Sequence, residues 1–407
     1  MLFLWMKGKC MSRRTIYILA VILVGIIAGG YRLYAANRLF VDIDEPTYLQ
    51  AGLKYDTLLR HGQYQQVAES LIEYEHPLLN KLLFGAVLLP QNPADNLKVS
   101  ELALLGSSSK GTLVKWDASE LSLAMADRYL SVFFGTAAVI LLALVNPVAG
   151  FFLAVQTLSV KYTSEIYLEA VPLLTSLLCA LAYVRWVANV TANPSEPHRS
   201  QYRWLLASAV FLGLTAASKY VYCVVGLGIV IHFLAEVLQK KMPWRSLGWL
   251  VGWGVLSFAF FFLFDPFLWV DPRSKMFITI DFHLHLQHRV YTGSLANSNS
   301  QFPFWQPLRW LFSPASFYDL GPLAVFKLNL DILIALLALI GAPRFFRNRR
   351  LFFYWFLAGL VFLFFWGAKW PQYTLIILAP FCLAAADGVQ TLWLLAQRWL
   401  PHKADPL

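Results

Sequence analysis

Charge is what this chain has least of. Only 14% of its 407 residues are Asp, Glu, Lys or Arg, while 58% are hydrophobic, and mean hydropathy is +0.56. A soluble domain of this length carries far more charge, so that class is excluded. Cysteine is also sparse. Cys179, Cys223 and Cys382 lie inside apolar runs and Cys10 lies near a basic N-terminus, a distribution that offers no disulfide framework. No Gly-rich strand–turn–helix unit occurs, so no nucleotide-binding fold is expected. There is no internal repeat, and the one low-complexity tract is the short "GSSSKG" at 106–111.

What is present is a series of apolar runs, each long enough to cross a bilayer at about 20 residues per crossing. Spans are expected near residues 15–37, 121–145, 147–162, 169–190, 203–218, 220–238, 246–269, 325–342, 351–367 and 373–397. The run Ile16 to Leu33 lacks a small-x-small cleavage site and reads as the first permanent span. The net charge of +10 points to basic loops held on the cytoplasmic side rather than to nucleic acid. Lys7, Arg13, Arg203, Lys240, Arg245, Arg347, Arg350 and Arg398 fall on one side of this arrangement. Asp42, Asp44, Glu45, Glu69, Glu75, Glu120, Glu165, Glu169 and Asp281 fall on the other. The expectation is one all-α polytopic membrane domain over residues 1–407, with outer loops at 38–120 and 270–324.

The first outer loop opens with "FVDIDEPTYLQAG", residues 40–52. Asp44 is placed to cap a helix entered through Glu45 and Pro46. A second helix is expected from Tyr64 to Glu75, ending before Pro77. The apolar stretch 78–90 is too short to span and is expected to lie in the membrane interface. The loop thus reads as amphipathic helices beside the membrane. Its acids have two readings: a solvated cap, or a carboxylate held at the border to accept a proton or bind a metal.

Further constellations share that outer side. "EYEHPLLNKLLFG" (73–85) offers Glu75 and His76. "YTSEIYLEAVP" (162–172) sets Glu165 and Glu169 one helical turn apart, and acids so near hydrocarbon are functional suspects. "AASKYVYC" (216–223) and "AKWPQYTLIILAP" (368–380) place Lys219, Lys369 and Tyr373 between apolar runs, as snorkelling cations or as an anion site. "DFHLHLQHR" (281–289) offers His283, His285 and His288, either solvated or on a metal. Together these acids and cations suit transfer of a group from a membrane-anchored phosphate to an outside acceptor.

"DEPTY" followed some thirty residues later by "HPLLNKLL" resembles the first-loop motifs of the GT-C glycosyltransferases. The likeness is closest to the protein O-mannosyltransferase and lipid A aminoarabinose transferase superfamily. "DRYLSVFFG" (127–135), "SEIYLEAVPLLTSLLCALAYVRW", "GLTAASKYVYCVVG" and "KWPQYTLIILAPFCLAAADG" extend that likeness in order along nearly the whole chain. The sequence departs from the pattern in two ways: Leu78 replaces the family's second proline, and a Glu replaces its second acidic residue, usually Asp.

The resemblance implies a GT-C fold of about ten spans, a polyprenyl-phosphate-linked sugar as donor and an inverting displacement onto a hydroxyl-bearing acceptor. It implies Asp44 as general base with Glu45 next. Lys219 is the first choice to hold the donor phosphate, supported by His76, Lys369, Tyr373 and Arg128. Glu165 or Glu169 would hold acceptor or sugar hydroxyls. A divalent metal through Asp44, Glu75 and His285 is kept open. The location implied is a bacterial or archaeal cell membrane, with the active site facing outward. A secondary transporter and a non-catalytic lipid-binding protein on the same fold are the competing readings. Against transport stands the absence of half-to-half similarity.

The charge alternation generates a direct test. In a background lacking the four natural cysteines, single cysteines at positions 100 and 295 are expected to react with an impermeant thiol reagent in intact cells. One at position 347 is expected to react only after the membrane is opened.

Overall fold

A computed structural model describes residues 12–72, 74–100, 115–192, 199–291, 302–313 and 330–399. Every regular element among these residues is a helix. Parts of both outer loops, notably 101–114, 292–301 and 314–329, lie outside them, as does position 295.

The helices are α1 (Arg13–Arg38), α2 (Glu45–Arg60), α3 (Tyr64–Glu69), α4 (Leu79–Leu88), α5 (Ala118–Val145), α6 (Pro147–Val155), α7 (Thr157–Tyr162) and α8 (Ala170–Ala192). There follow α9 (Arg199–Ser218), α10 (Val224–Leu238), α11 (Leu247–Phe264), α12 (Pro272–Tyr291), α13 (Gln306–Phe312), α14 (Asp331–Asn348), α15 (Arg350–Phe365) and α16 (Leu378–Trp399). Six helical segments among the described residues have the length and apolarity to cross a membrane. They are α1, α5 and α8, with α10, α11 and α16 extended at their starts by 3-10 turns. Helices α9, α14 and α15 occupy three further expected spans but are shorter or more charged. The outer surface of the bundle carries the large apolar side chains. Ile22, Leu23 and Ile26 of α1, Val251, Val255 and Phe258 of α11, and Leu336 and Leu339 of α14 are all exposed. Buried positions, by contrast, include many charged groups. That inversion is what a lipid solvent favours, since polar groups must find partners inside.

The expected span at 147–162 does not form. The chain breaks at Gln156 into α6, of 9 residues, and α7, of 6. At 1.5 Å per residue neither reaches across a ~30 Å hydrocarbon layer. The break is held by polar groups that the apolar run concealed. Gln156 caps α7 by accepting from Ser159 N (2.7 Å), while Asp331 accepts from Thr157 N (3.1 Å) and from its hydroxyl (2.5 Å). Arg32, wholly buried in α1, donates to the hydroxyls of Thr163 and Ser159, both at 2.8 Å. Helices α6 and α7 together lead the chain from the end of α5, where Leu144 O accepts from the Tyr17 hydroxyl (2.5 Å) near the start of α1, to residues 163–169 at the end of the bundle where α1 finishes.

The first outer loop also differs from expectation. The second helix stops at Glu69 rather than Glu75, with Ser70 extended. Helix α4 does not simply rest on a membrane surface, since Asn80, Lys81, Phe84 and Gly85 are buried against protein. It packs on α2 through Gly85, where an added Cβ would sit 2.8 Å from Asp56 N and 2.9 Å from Gly52 O. Backbone lies on the other side of that contact and cannot step aside as a side-chain tip would.

Gly85→Val is therefore expected to push α2 away from α4, at about the 1–3 kcal/mol typical of overpacking. It should lower the melting temperature of the purified protein. Gly248→Ala, where nothing lies within 4 Å of the added carbon, should leave it unchanged or slightly raised. Equal melting curves for Gly85→Val and wild type would show that the two helices are not in close register.

Candidate active site

The end of α1, the start of α2, the α7–α8 turn and the end of α9 converge at one end of the bundle. Their anchor is a buried ion pair. Arg128 of α5 donates Nε to Glu45 Oε1 (2.8 Å) and Nη2 to Glu45 Oε2 (2.5 Å). Its remaining N–H groups reach the carbonyls of Ala36 (2.7 Å), Leu39 (3.0 Å) and Phe40 (3.1 Å), which end α1. Glu45 also accepts from Ile166 N (2.8 Å) and Asp42 N (3.0 Å). Both side chains are almost wholly buried. Arg128, expected on the donor phosphate, thus has every donor engaged within the protein. Glu45, the second choice as base, has both oxygens occupied.

Beside this pair lies a second network. Lys161 bridges Asp42 and Glu165, meeting the Glu165 oxygens at 2.8 and 3.0 Å. The Tyr167 hydroxyl donates to Asp42. Burial alone would raise Asp42, but the Lys161 ammonium and these hydrogen bonds hold it below the usual carboxylate range. Asp42 is therefore the ionised member that orders Lys161 and Tyr167.

Asp44 pairs with no cation of either network, although Tyr167 of the second bonds to it. It occupies the residue before α2, as expected, but its side chain makes no capping bond and its backbone is already helical. It is half-buried, between Asp42 and the Lys219–Glu169 pair. Burial first, then the Asp42 charge with Glu169 adding, pushes its carboxyl up to about 7, against the opposing pull of Lys219 and Tyr167.

Lys219 pairs with Glu169 and lies 5.3 Å from the centre of the Tyr373 ring. The turn that carries Glu169 and the end of α9 that carries Lys219 are tied by one residue of the first loop. Asn80 donates to the carbonyls of Leu168 (2.8 Å) and Ser218 (3.4 Å). Glu169, Lys219 and Tyr373 thus lie beside Asp44, while Glu165 belongs to the Lys161 network. His76 borders the same space, its ring 6.4 Å from that of Tyr48. Burial and the positive charges of Lys219 and Lys81 hold its imidazole well below its ordinary value, so it is neutral.

Two expected ligands are elsewhere. Lys369 donates to the carbonyls of Leu363 (2.7 Å), Phe364 (3.1 Å) and Trp366, closing the end of α15. His285 is exposed and pairs with Asp281 at 3.2 Å. The expected metal trio of Asp44, Glu75 and His285 does not assemble, and no other group of three His, Cys, Asp or Glu gathers among the described residues. The His288 side chain lies outside the described residues.

Lys161 and Tyr167 escaped sequence reasoning. The spacing of Lys161 from Glu165, one helical turn, was an available signal. Tyr167 had none, because its partner is 125 residues away.

No protein-family model matches the sequence, and no curated protein does. Solved structures do match its fold. ArnT from Cupriavidus metallidurans bound to undecaprenyl phosphate superposes with a TM-score of 0.52 at 15% identity, over 93% of this chain and 60% of that one. Its apo form gives 0.51 at 15%, over the same shares. The archaeal oligosaccharyltransferase AglB from Archaeoglobus fulgidus, in complex with an inhibitory peptide and a dolichol-phosphate, gives 0.50 at 12%, over 97% and 53%. The chain therefore has the GT-C fold of integral-membrane glycosyltransferases. It spans little more than half the length of these structures.

The site separates structural from poised carboxylates, and melting curves read the difference. Glu45→Gln leaves buried Arg128 without its counter-charge and is expected to destabilise by about 3–5 kcal/mol. Asp44→Asn mimics the protonated acid that folding favours. A carboxyl raised on folding costs stability as pH climbs from its unfolded value through about 7. The variant should therefore match wild type only near pH 3.8 or below, lead it increasingly as pH rises from there, and keep the full margin above about 7.

Proposed function

We propose that the protein is a membrane glycosyltransferase that moves a monosaccharide from a polyprenyl-phosphate donor to a hydroxyl on a protein, lipid or glycan acceptor, on the outer face of the membrane. The observation that carries this reading is Asp44. It is a half-buried carboxyl with no capping bond, beside Lys219, in a site where the other acids are held by cations.

In this reading Asp44 accepts the proton of the acceptor hydroxyl. The freed oxygen attacks the anomeric carbon from the face opposite the lipid phosphate. The C1–O bond breaks, its electron pair stays with the phosphate, and the sugar inverts. A base with a pKa near 7 suits this step, because it is ionised at working pH yet holds the proton once taken. Lys219 moves from sole pairing with Glu169 toward the charge that develops on the leaving phosphate, in a partly dry site where such an interaction is strong. Glu169, released in part, and Glu165 remain available to sugar or acceptor hydroxyls. Tyr373 walls the Lys219 ammonium. Neutral His76 can donate to a phosphate oxygen. Lys369 supports the site from behind by closing α15.

Single-turnover transfer from a radiolabelled polyprenyl-phosphate sugar tests the base. Asp44→Asn is expected to lose at least about two orders of magnitude, the lower end for a missing general base. The wild-type rate should rise with pH and level off above about 7. Lys219→Met strands buried Glu169, so it is compared with Lys219→Met/Glu169→Gln, which removes both charges. Donor use should stay weak in the double variant although its melting curve recovers. Full transfer by the double variant would show that Lys219 only snorkels.

A further inference from the structure

The described residues between α3 and α4, which include Glu75 and His76, form no helix. Side chains from other elements answer several of their backbone groups instead. Three of these come from one face of α12. Lys275 donates to the carbonyl of Ala68, near the end of α3 (2.5 Å), Thr279 to that of Tyr74 (3.2 Å) and His283 Nε2 to that of Glu75 (3.0 Å). Residues four apart share a helix face, and these three span about 12 Å of it at 1.5 Å per residue. Lys275 and Thr279 are buried. Burial holds the His283 imidazole below its ordinary pKa, so it is neutral and gives its one N–H to Glu75. The Tyr74 ring packs edge-on against Phe282 of the same helix (5.7 Å). From the other side, Lys81 donates to the His76 carbonyl (2.8 Å), and Asp265 accepts from Leu78 N (3.0 Å). Thr279 has a second partner, since its hydroxyl also bonds to the Tyr220 side chain. A hydroxyl has one hydrogen. Thr279 gives it to the Tyr74 carbonyl and therefore accepts from the Tyr220 O–H. Tyr220 follows Lys219 directly in the chain. A chain of bonds through Thr279 thus runs from the residue after Lys219 to a residue two before His76.

We propose that α12 sets the separation of Lys219 and His76, with Thr279 as the positioning residue that joins their two segments. The inference rests on the glycosyltransferase reading above, in which Lys219 and His76 both meet the donor phosphate. The two side chains are close, because the Lys219 charge is felt at His76. Each has its own partners, however. Lys219 pairs with Glu169, while the His76 ring lies against those of Tyr48 and His283. Their spacing is therefore a matter of where the two backbones are held. Asn80 ties the end of α9 to the Glu169 turn. Residues 74–76 are held by α12. A single anchor would leave that segment free to pivot about it, whereas anchors at three levels of one helix do not. The spacing matters chemically, since a hydrogen bond weakens steeply as its length and angle depart from their optimum. Two donors can serve one phosphate group only if both are at the right distance from its oxygens. Lys275 and His283 support the same segment at its two ends, and Thr279 alone also reaches the Lys219 side through Tyr220.

The test measures equilibrium binding of polyprenyl phosphate, without a sugar, to the purified full chain in detergent. Thr279→Val keeps the shape and removes the hydroxyl. Tyr220→Phe breaks the same chain of bonds at its other end. Thr279→Ser keeps the hydroxyl. Melting curves confirm which variants are folded. Thr279→Val and Tyr220→Phe are each expected to weaken binding by about tenfold, the scale of one hydrogen bond lost to misplacement. Thr279→Ser should stay within about threefold of wild type. A purely structural role is separated by the Lys219→Met/Glu169→Gln background, where one of the two phosphate groups is gone and their separation no longer matters. There Thr279→Val should cost less than about twofold. The same tenfold loss in that background overturns the proposal, as does wild-type affinity in both Thr279→Val and Tyr220→Phe. A wild type that binds no polyprenyl phosphate overturns the glycosyltransferase reading itself, and this inference with it.

Discussion

The pairing of Glu45 with Arg128 is the constraint on which the rest of the site depends. Two full charges are removed from water in the interior of a membrane protein, and each would be prohibitive alone. Together they satisfy one another and, at the same time, the carbonyls that end α1 and the backbone N–H of Ile166. Five pieces of chain therefore meet at fixed depth: the end of α1, the Asp42–Asp44 turn, the start of α2, the middle of α5 and the turn after α7. Asp44 lies within this turn, its carbonyl accepting from Tyr48 N (3.2 Å).

Around this anchor the charges are divided by use. Asp42, Glu45, Glu165 and Glu169 each have a cation, and Lys161, Arg128 and Lys219 are the cations that serve them. Asp44 is left without a hydrogen-bonded cation of its own, and it sits among like charges. The same arrangement that makes the turn rigid makes Asp44 costly to ionise, which is the condition for a base that works near neutrality. In the proposed reading, Asp44 owes its reactivity to incomplete pairing at one position inside otherwise complete networks.

The broken third span is part of the same design. Gln156, Asp331 and Arg32 answer the backbone and side-chain groups exposed by the break, and so hold the broken chain inside the protein. Irregular backbone at depth is tolerated in membrane proteins only where protein or water answers it. Here protein does, and the outcome is that Glu165 and Glu169 reach the end of the bundle where Asp44 and Lys219 lie.

The sequence by itself determined the class of structure and marked the acids and lysines at the borders of its apolar runs. Apolar runs require helices in lipid, because no other open structure satisfies its own backbone there. The clustering of Asp44, Glu165, Glu169, Lys219 and Tyr373 at the borders of those runs was legible, since acids and lysines so near hydrocarbon need a reason. The roles within the cluster were decided only by tertiary structure. Glu45 and Arg128 are 83 residues apart, Asp42 and Lys161 are 119 apart, and Lys219 and Glu169 are 50 apart. No local periodicity reports pairings at such separations. Which carboxylate is neutralised and which is left poised depends on which cation the folded bundle brings within reach, and a buried ion pair is a property of two positions in space rather than of either residue in the chain.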